Sequence, residues 1–336
     1  MKRLPAEWEK QESVLMVFPH TKSDWANDLK SAQSVFLRMA CSICYKQKLI
    51  LICEDKEKVK EMFCYHDMIS FVEFETDDTW IRDFGPISVY NEKSRELIDF
   101  RFNGWGGKFV AKKDDSVTSF LHKNGYFGLS NLLHEDMVLE GGSIESDGAG
   151  TLLTTKRCLL NQNRNPHLTQ TVIENRLIER FGLRQILWLN HGELEGDDTD
   201  AHIDTLARFI DPNTIAYVSC DDKDDPHYKE LKKMKEELKE FRTLEKKPYK
   251  LIPLPLPKAK YKDGKRLPAT YANFLITNHA LLLPIYEDPN DKKMIELFKT
   301  LFPTREIIPI NSLRLIEEGG SIHCSTMQVC AQTFND

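Results

Sequence analysis

EEGGSIHCSTMQ (317–328) and MVLEGGSIESDGAGTLLTT (137–155) share the tetrapeptide EGGS. Both set a carboxylate directly before two glycines, and 137–155 reads as strand, loop, strand. Outward from these two copies the same unit recurs: helix, strand, a polar loop carrying carboxylates or glycines, then another strand. Helical spacing marks 28–45, about 114–124, 168–181, 228–247 and 291–302, with EDKEKVKEMF (54–63) as a charged helix. Strand-like runs include SVLMVFPH (13–20), KLILIC (48–53), ISFVEFET (69–76), ISVY (87–90), ELIDFRF (96–102), QILWLN (185–190), TIAYVSC (214–220) and EIIPIN (306–311). About five units can be counted, and their alternation is an α/β signature. Length alone suggests two domains. Internal repetition instead favours one closed, pseudo-symmetric domain over 1–336, its loops converging at one end of a central axis.

Composition narrows the function. A net charge of -6 argues against a nucleic-acid-binding surface. The polar start MKRLPAEWEK holds no signal-peptide core, and no run approaches the ~20 apolar residues of a membrane span. Eight cysteines without a secretory signal read as reduced thiols in the cytoplasm. Cys41 and Cys44 form one CxxC on a helix, with no second pair for zinc, and read as packing.

The loops supply the chemistry. Asp83, Glu140, Asp198, Asp200, His202, Asp204, Glu318 and Cys324 fall in them. Cys324 can be a nucleophile where a cation or base holds it as thiolate; the bland alternative is a buried structural thiol. Gly320, four residues earlier, lets a ligand approach the main chain. Carboxylates suit neither an oxyanion nor an acyl-transfer protease. They suit a guanidinium, which is planar, stays protonated and matches carboxylates in bidentate pairs. Two carboxylates facing it would leave the central carbon open to sulfur. The rival chemistry is metal-dependent hydrolysis, for which DDTDAHID (197–204) offers ligands; no HExxH, paired HxH or EF-hand spacing supports it.

These residues carry a resemblance. PAEWE, WIRDFGP, FNGWGGKF, EGGSIE with GTLLTT and NQNRNP, TDAHID, YANFLITN with DPND, and GGSIHCSTMQ follow the order seen in agmatine deiminases, from about residue 4 to 328. That family belongs to the guanidino-group-modifying superfamily, whose fold is a five-bladed α/β propeller, the pentein, with a central active site. The resemblance implies hydrolysis of agmatine to N-carbamoylputrescine and ammonia, without metal or cofactor, and a homodimer. Bacterial-type peptidyl-arginine deiminases share the core motifs, so peptidyl or free arginine is the alternative substrate. A metal-dependent hydrolase and a non-catalytic guanidine-binding protein are the further rivals. By motif, Cys324 resembles the nucleophile, His202 the general acid and base, and Asp83 and Asp204 the guanidinium clamp. Trp80 resembles the aromatic wall, and Asp198 or Asp200 the holder of the distal ammonium. Glu140 either backs the substrate-contacting residues or braces the glycine loop. The chain departs from the family in having Glu318 and Ser321 within its GGGN stretch, Ala201 for glycine, Asp198 for glutamate, and Met327 after Thr326.

Overall fold

Apolar runs too short for helices become the strands, and the periodic stretches between them become the helices that cover them. The computed structural model describes residues 2–64, 67–92 and 94–333. Within them the chain builds five separate sheets of three or four strands and one two-stranded hairpin, Tyr261–Lys262 with Lys265–Arg266. The first sheet orders Met327–Cys330, Gln11–Val17, Lys48–Cys53 and Ile69–Glu73. The second adds Lys2–Arg3 to Ile87–Asn91, Ser94–Arg101 and Asn131–Val138. The third joins Ile144–Ser146, Thr151–Thr155 and Gln185–Leu189, and the fourth Ala207–Asp211, Thr214–Ser219 and Lys250–Pro255. The fifth joins Leu275–Ile276, Ala280–Ile285 and Glu306–Asn311.

One rule runs through all five. An antiparallel pair is followed by a parallel pair, as in Ile144–Ser146 with Thr151–Thr155 and then Gln185–Leu189. Parallel neighbours need a long crossover, and Leu29–Cys44, Val117–Lys123, Gln170–Phe181, Tyr228–Glu240 and Pro289–Leu301 supply it once in each sheet, with the single turn Lys56–Lys60 in the second crossover of the first sheet. Leu29–Cys44 buries Ala32, Phe36, Met39, Ala40 and Ile43, the stripe that its spacing predicts. Pro289–Leu301 starts at a capping box on Asp288 with proline in its first turn. Gln170–Phe181 stops at Gly182, whose φ of 66° lies in the left-handed region and whose missing Cβ leaves room for the Lys2 carbonyl.

Boundaries differ in places. The helix predicted over 228–247 ends at Glu240, because Phe241 turns extended and Arg242 bridges to Pro248. The charged helix predicted over 54–63 is a single turn, Lys56–Lys60, and EGGS at 140–143 is a tight 3-10 turn. The acidic loop 191–210 ends in the strand Ala207–Asp211, and CLLN begins on the short helix Lys156–Leu159. The fold is therefore mixed α/β, as expected; among the described residues no single sheet closes on itself. No described helix is long and apolar enough to cross a membrane.

Candidate active site

The segment just ahead of one antiparallel strand in each sheet contributes a residue to one cluster. Asp83 precedes Ile87–Asn91, Gly142 precedes Ile144–Ser146, and Asp204 precedes Ala207–Asp211. Asn273 precedes Leu275–Ile276, and Cys324 precedes Met327–Cys330. Equivalent positions of a repeated unit thus supply the site. A Cβ built on Gly142 would lie 2.7 Å from His202 Nδ1, 2.8 Å from Asp83 Oδ1 and 3.1 Å from Asp204 Oδ2, so two loops, one with Asp83 and one with His202 and Asp204, meet over the glycine of a third.

Cys324 Sγ lies 3.8 Å from Asp204 Oδ2. Asn273, fully buried, accepts the backbone N–H groups of His323 and Cys324 on Oδ1 at 3.0 and 3.3 Å. Those two donors fix the amide, leaving its Nδ2 3.3 Å from the sulfur. Asp83 accepts Trp105 Nε1–H at 2.8 Å and Gly142 N–H at 2.9 Å, with His202 Nδ1 at 3.6 Å. Neither His202 ring nitrogen has a hydrogen-bond partner, nor does Asp204 Oδ1, although all three are buried. Buried polar atoms are normally satisfied. These three are aimed at something else.

A cleft of about 410 Å³ opens on this cluster. Cys324, His202, Asp83, Trp80, Asp198 and Gly320 all line it. The Trp80 ring packs where a Cβ on Gly320 would stand, 2.4 Å from its nearest carbon, so Gly320 is what lets that wall close in. Asp24 and Glu318 add carboxylates to the lining, and no lysine or arginine is part of it. Asp200 and Glu140 lie elsewhere. Arg164 Nε holds both oxygens of Glu140 at 2.9 and 3.1 Å, and its Nη1 lies 2.5 Å from Asp200. Lys108 adds a second cation to Asp200 at 3.0 Å. Asp200 therefore does not face the cleft as a holder of an ammonium would, and Glu140 braces the turn that carries Gly142.

Electrostatics follow from burial. Desolvation, then the charges of Asp204 and Asp83, push the Cys324 thiol well above its usual range. Desolvation pulls His202 down to about 3. Asp83 is pushed well up by burial and by Asp204, against its donors Trp105 and Gly142. Burial also opposes ionisation of Asp204, but the hydrogen bond and charge of His323 outweigh it and hold that carboxyl below its usual value. Asp198 is exposed where it lines the cleft, and partial burial and Asp197 raise its carboxyl to about 6. With no ligand bound this is a site of neutral thiol, neutral imidazole and crowded carboxyls. A bound cation would lower the Cys324 thiol and the Asp83 and Asp198 carboxyls and would keep His202 neutral.

Glu140, Cys158 and His202 each place a ligand atom within 4.8 Å of the others. The donor set is poor for a metal: Arg164 occupies both oxygens of Glu140, and burial keeps the Cys158 thiol protonated.

Asn273, Trp105, Gly142 and His323 had no assigned role in the sequence reading. Asn273 and Gly142 could have been found by aligning the five units on their first strands. Trp105 sits in the glycine-aromatic loop 103–109, where its φ of 54° turns the indole toward Asp83.

Agmatine deiminase of Pseudomonas aeruginosa is 34% identical, covering 97% of this chain and 95% of its own. Agmatine deiminase of Campylobacter jejuni, solved as a cysteine-to-serine variant with substrate bound, is 40% identical with a TM-score of 0.93, covering 99% and 97% of the two chains. That of Enterococcus faecalis is 29% identical with a TM-score of 0.90, covering 98% and 96%. Residues 3–330 match the Porphyromonas-type peptidyl-arginine deiminases, and the chain belongs to that family.

Proposed function

We propose that this protein hydrolyses agmatine to N-carbamoylputrescine and ammonia through an amidino-cysteine intermediate on Cys324. One observation carries the reading: Asp83, His202 and Asp204 converge within 3.1 Å of one point beside the Cys324 sulfur, with two ring nitrogens and a carboxylate oxygen unpartnered. A guanidinium between Asp83 and Asp204 donates to the free oxygen of Asp204 and to the acceptor nitrogen of His202, and it cancels the charges that keep the thiol protonated. His202, neutral until then, takes the thiol proton. Sulfur attacks the central carbon, and the imidazolium returns the proton to the departing nitrogen, which leaves as ammonia. His202 next takes a proton from water, whose oxygen attacks the thioether carbon. Collapse expels the thiolate and leaves the carbamoyl product.

Asn273 Nδ2–H, already on the sulfur, supports the thiolate. Trp80 and Trp105 wall the slot, and Asp198 holds the distal ammonium. Supporting the pentein architecture, five sheets repeat one strand order, and we read them as five blades around this site. All eight cysteines are free, in keeping with a reducing, cytoplasmic setting.

Peptidyl arginine is the second reading, because the matched family is described by that substrate. The carboxylates Asp24 and Asp198 in the lining favour a substrate with a second positive charge over one ending in a carboxylate, while Lys262 and Arg314 already hold Glu318. Side-by-side turnover of agmatine, free arginine and an arginine peptide decides the substrate. Cys324→Ala should release no ammonia and form no adduct visible by mass spectrometry; normal turnover would refute the nucleophile.

A further inference from the structure

Behind the substrate cleft lies a second recess, lined by Glu7, Arg82, Glu145, His323 and Gln328 among others, and sharing no residue with the first. Arg82 and Asp83 are chain neighbours, as are His323 and Cys324, so the two spaces stand back to back. One hydrogen-bonded chain joins them. His323 places Nδ1 2.7 Å from Asp204 Oδ2 and Nε2 2.6 Å from Glu7 Oε2. The same Asp204 oxygen faces the Cys324 sulfur.

Proton counting constrains this chain. Each of the two short contacts needs one hydrogen, so Asp204, His323 and Glu7 hold two protons between them. Glu7 is bound as an anion: Oε1 accepts Ile276 N–H at 2.6 Å, Oε2 accepts Arg208 Nη2 at 3.0 Å, and Arg82 Nη2 stands 3.6 Å away. The first proton is therefore on His323 Nε2. The second lies between Nδ1 and Asp204 Oδ2, where it makes either an imidazolium facing a carboxylate or a neutral ring facing a carboxylic acid.

We infer that His323 is a positioning residue, an internal counter-cation that takes this proton and leaves Asp204 ionised when a guanidinium arrives. This rests on the reading of Asp204 as part of the clamp. The transfer moves one proton along an existing hydrogen bond, from Asp204 Oδ2 to His323 Nδ1, and changes no other bond. All the charged and titratable groups packed on the pair enter the balance. Burial, then Arg208 and Arg82, oppose the imidazolium and hold His323 below its usual value, while Glu7 and the hydrogen bond to Asp204 favour it. Asp83 opposes the Asp204 anion across the slot, with His202 and Cys324 beside it. The incoming cation tips that balance, because Asp204 Oδ1 is free to meet it. Glu7 also reaches the rear recess, so the relay can exchange protons with solvent while substrate fills the front cleft.

The test is the pH dependence of kcat/KM for agmatine in His323→Asn, which keeps a neutral donor and removes the cation. Without the imidazolium the Asp204 carboxyl titrates higher, so activity is lost at higher pH as pH falls. The acidic limb should move up by about one unit, with about a tenfold loss below it that recovers at alkaline pH. An unmoved limb, or a loss equal at every pH, overturns the assignment. If that variant does not fold, ¹⁵N-histidine spectra of Cys324→Ala with agmatine give the answer. A buried ring protonated on both nitrogens supports it; only neutral buried rings overturn it. Asp204→Asn is assayed in parallel, since full activity there would sink the clamp itself, whatever His323 does.

Discussion

Gly142→Ala should disable the enzyme without unfolding it. The added methyl would stand 2.7 Å from His202 Nδ1, 2.8 Å from Asp83 Oδ1 and 3.1 Å from Asp204 Oδ2. Ordinary contact needs roughly 3.5–4 Å, so those groups must retreat by about 0.5–1 Å, or the methyl must take space from the guanidinium. A misplacement near 1 Å costs about 100-fold in rate, or about 3 kcal/mol of transition-state stabilisation. The backbone of Gly142 lies outside the left-handed region, so alanine can adopt it and the defect is one of space. Gly107 makes the control: its φ is 77° and nothing stands within 4 Å of a Cβ there. Gly107→Ala should cost about 1–2 kcal/mol of stability through backbone strain and leave the rate nearly intact. Ammonia release from agmatine measures activity, and thermal melting measures the fold. A folded Gly142→Ala enzyme with kcat/KM near that of the unaltered protein would refute the convergence of the three loops on one reacting centre.

The thiol of the empty site should resist alkylation at neutral pH and react only above the usual thiol range, because burial and the charges of Asp204 and Asp83 hold its proton; rapid iodoacetamide labelling of Cys324 at pH 7 would contradict this. Trp105→Phe removes one of the two donors that oppose protonation of Asp83. Its carboxyl should titrate still higher, so the acidic limb of kcat/KM should rise in pH, with a rate loss of about tenfold at neutral pH for a lost hydrogen bond to a charged group. Asp198→Asn should raise KM for agmatine more than it lowers kcat, and should narrow the preference for agmatine over an uncharged-tail alkylguanidine; equal losses for both substrates would remove Asp198 from ammonium binding. Arg208→Met leaves the buried Glu145 without a cation and Glu7 with only Arg82 and His323, and should cost about 3–5 kcal/mol in urea denaturation.

The elements were legible because each carries its own period. The stripe Ala32, Phe36, Met39 and Ala40 has the period of a helix, and KLILIC has the length and the isoleucines of a short buried strand. Their ends were less legible, since an end depends on what waits there. Leu244 continues the helical period after Glu240, yet the chain turns extended so that Lys250–Pro255 can pair with Thr214–Ser219. The site divides in the same way. Asp83, His202, Asp204 and Cys324 could be gathered by chemical type, and the fold brings all four to one cluster. Asp198 and Asp200 could not be told apart by type, since both are aspartates in one acidic loop. Tertiary partners separate them: Arg164 and Lys108 draw Asp200 away, while Asp198 keeps its carboxyl in the cleft. His323 was beyond reach for the same reason, because its two partners come from residues 7 and 204. A sequence shows which groups can do chemistry; which of them are already bound to a neighbour is decided by contacts hundreds of residues apart. The unpartnered atoms of His202 and Asp204 are therefore more telling than their identities. In a chain that satisfies Glu140, Asp200, Glu7 and Glu145 with arginines, polar atoms left empty around one point mark the place kept for a cation that the protein does not itself supply.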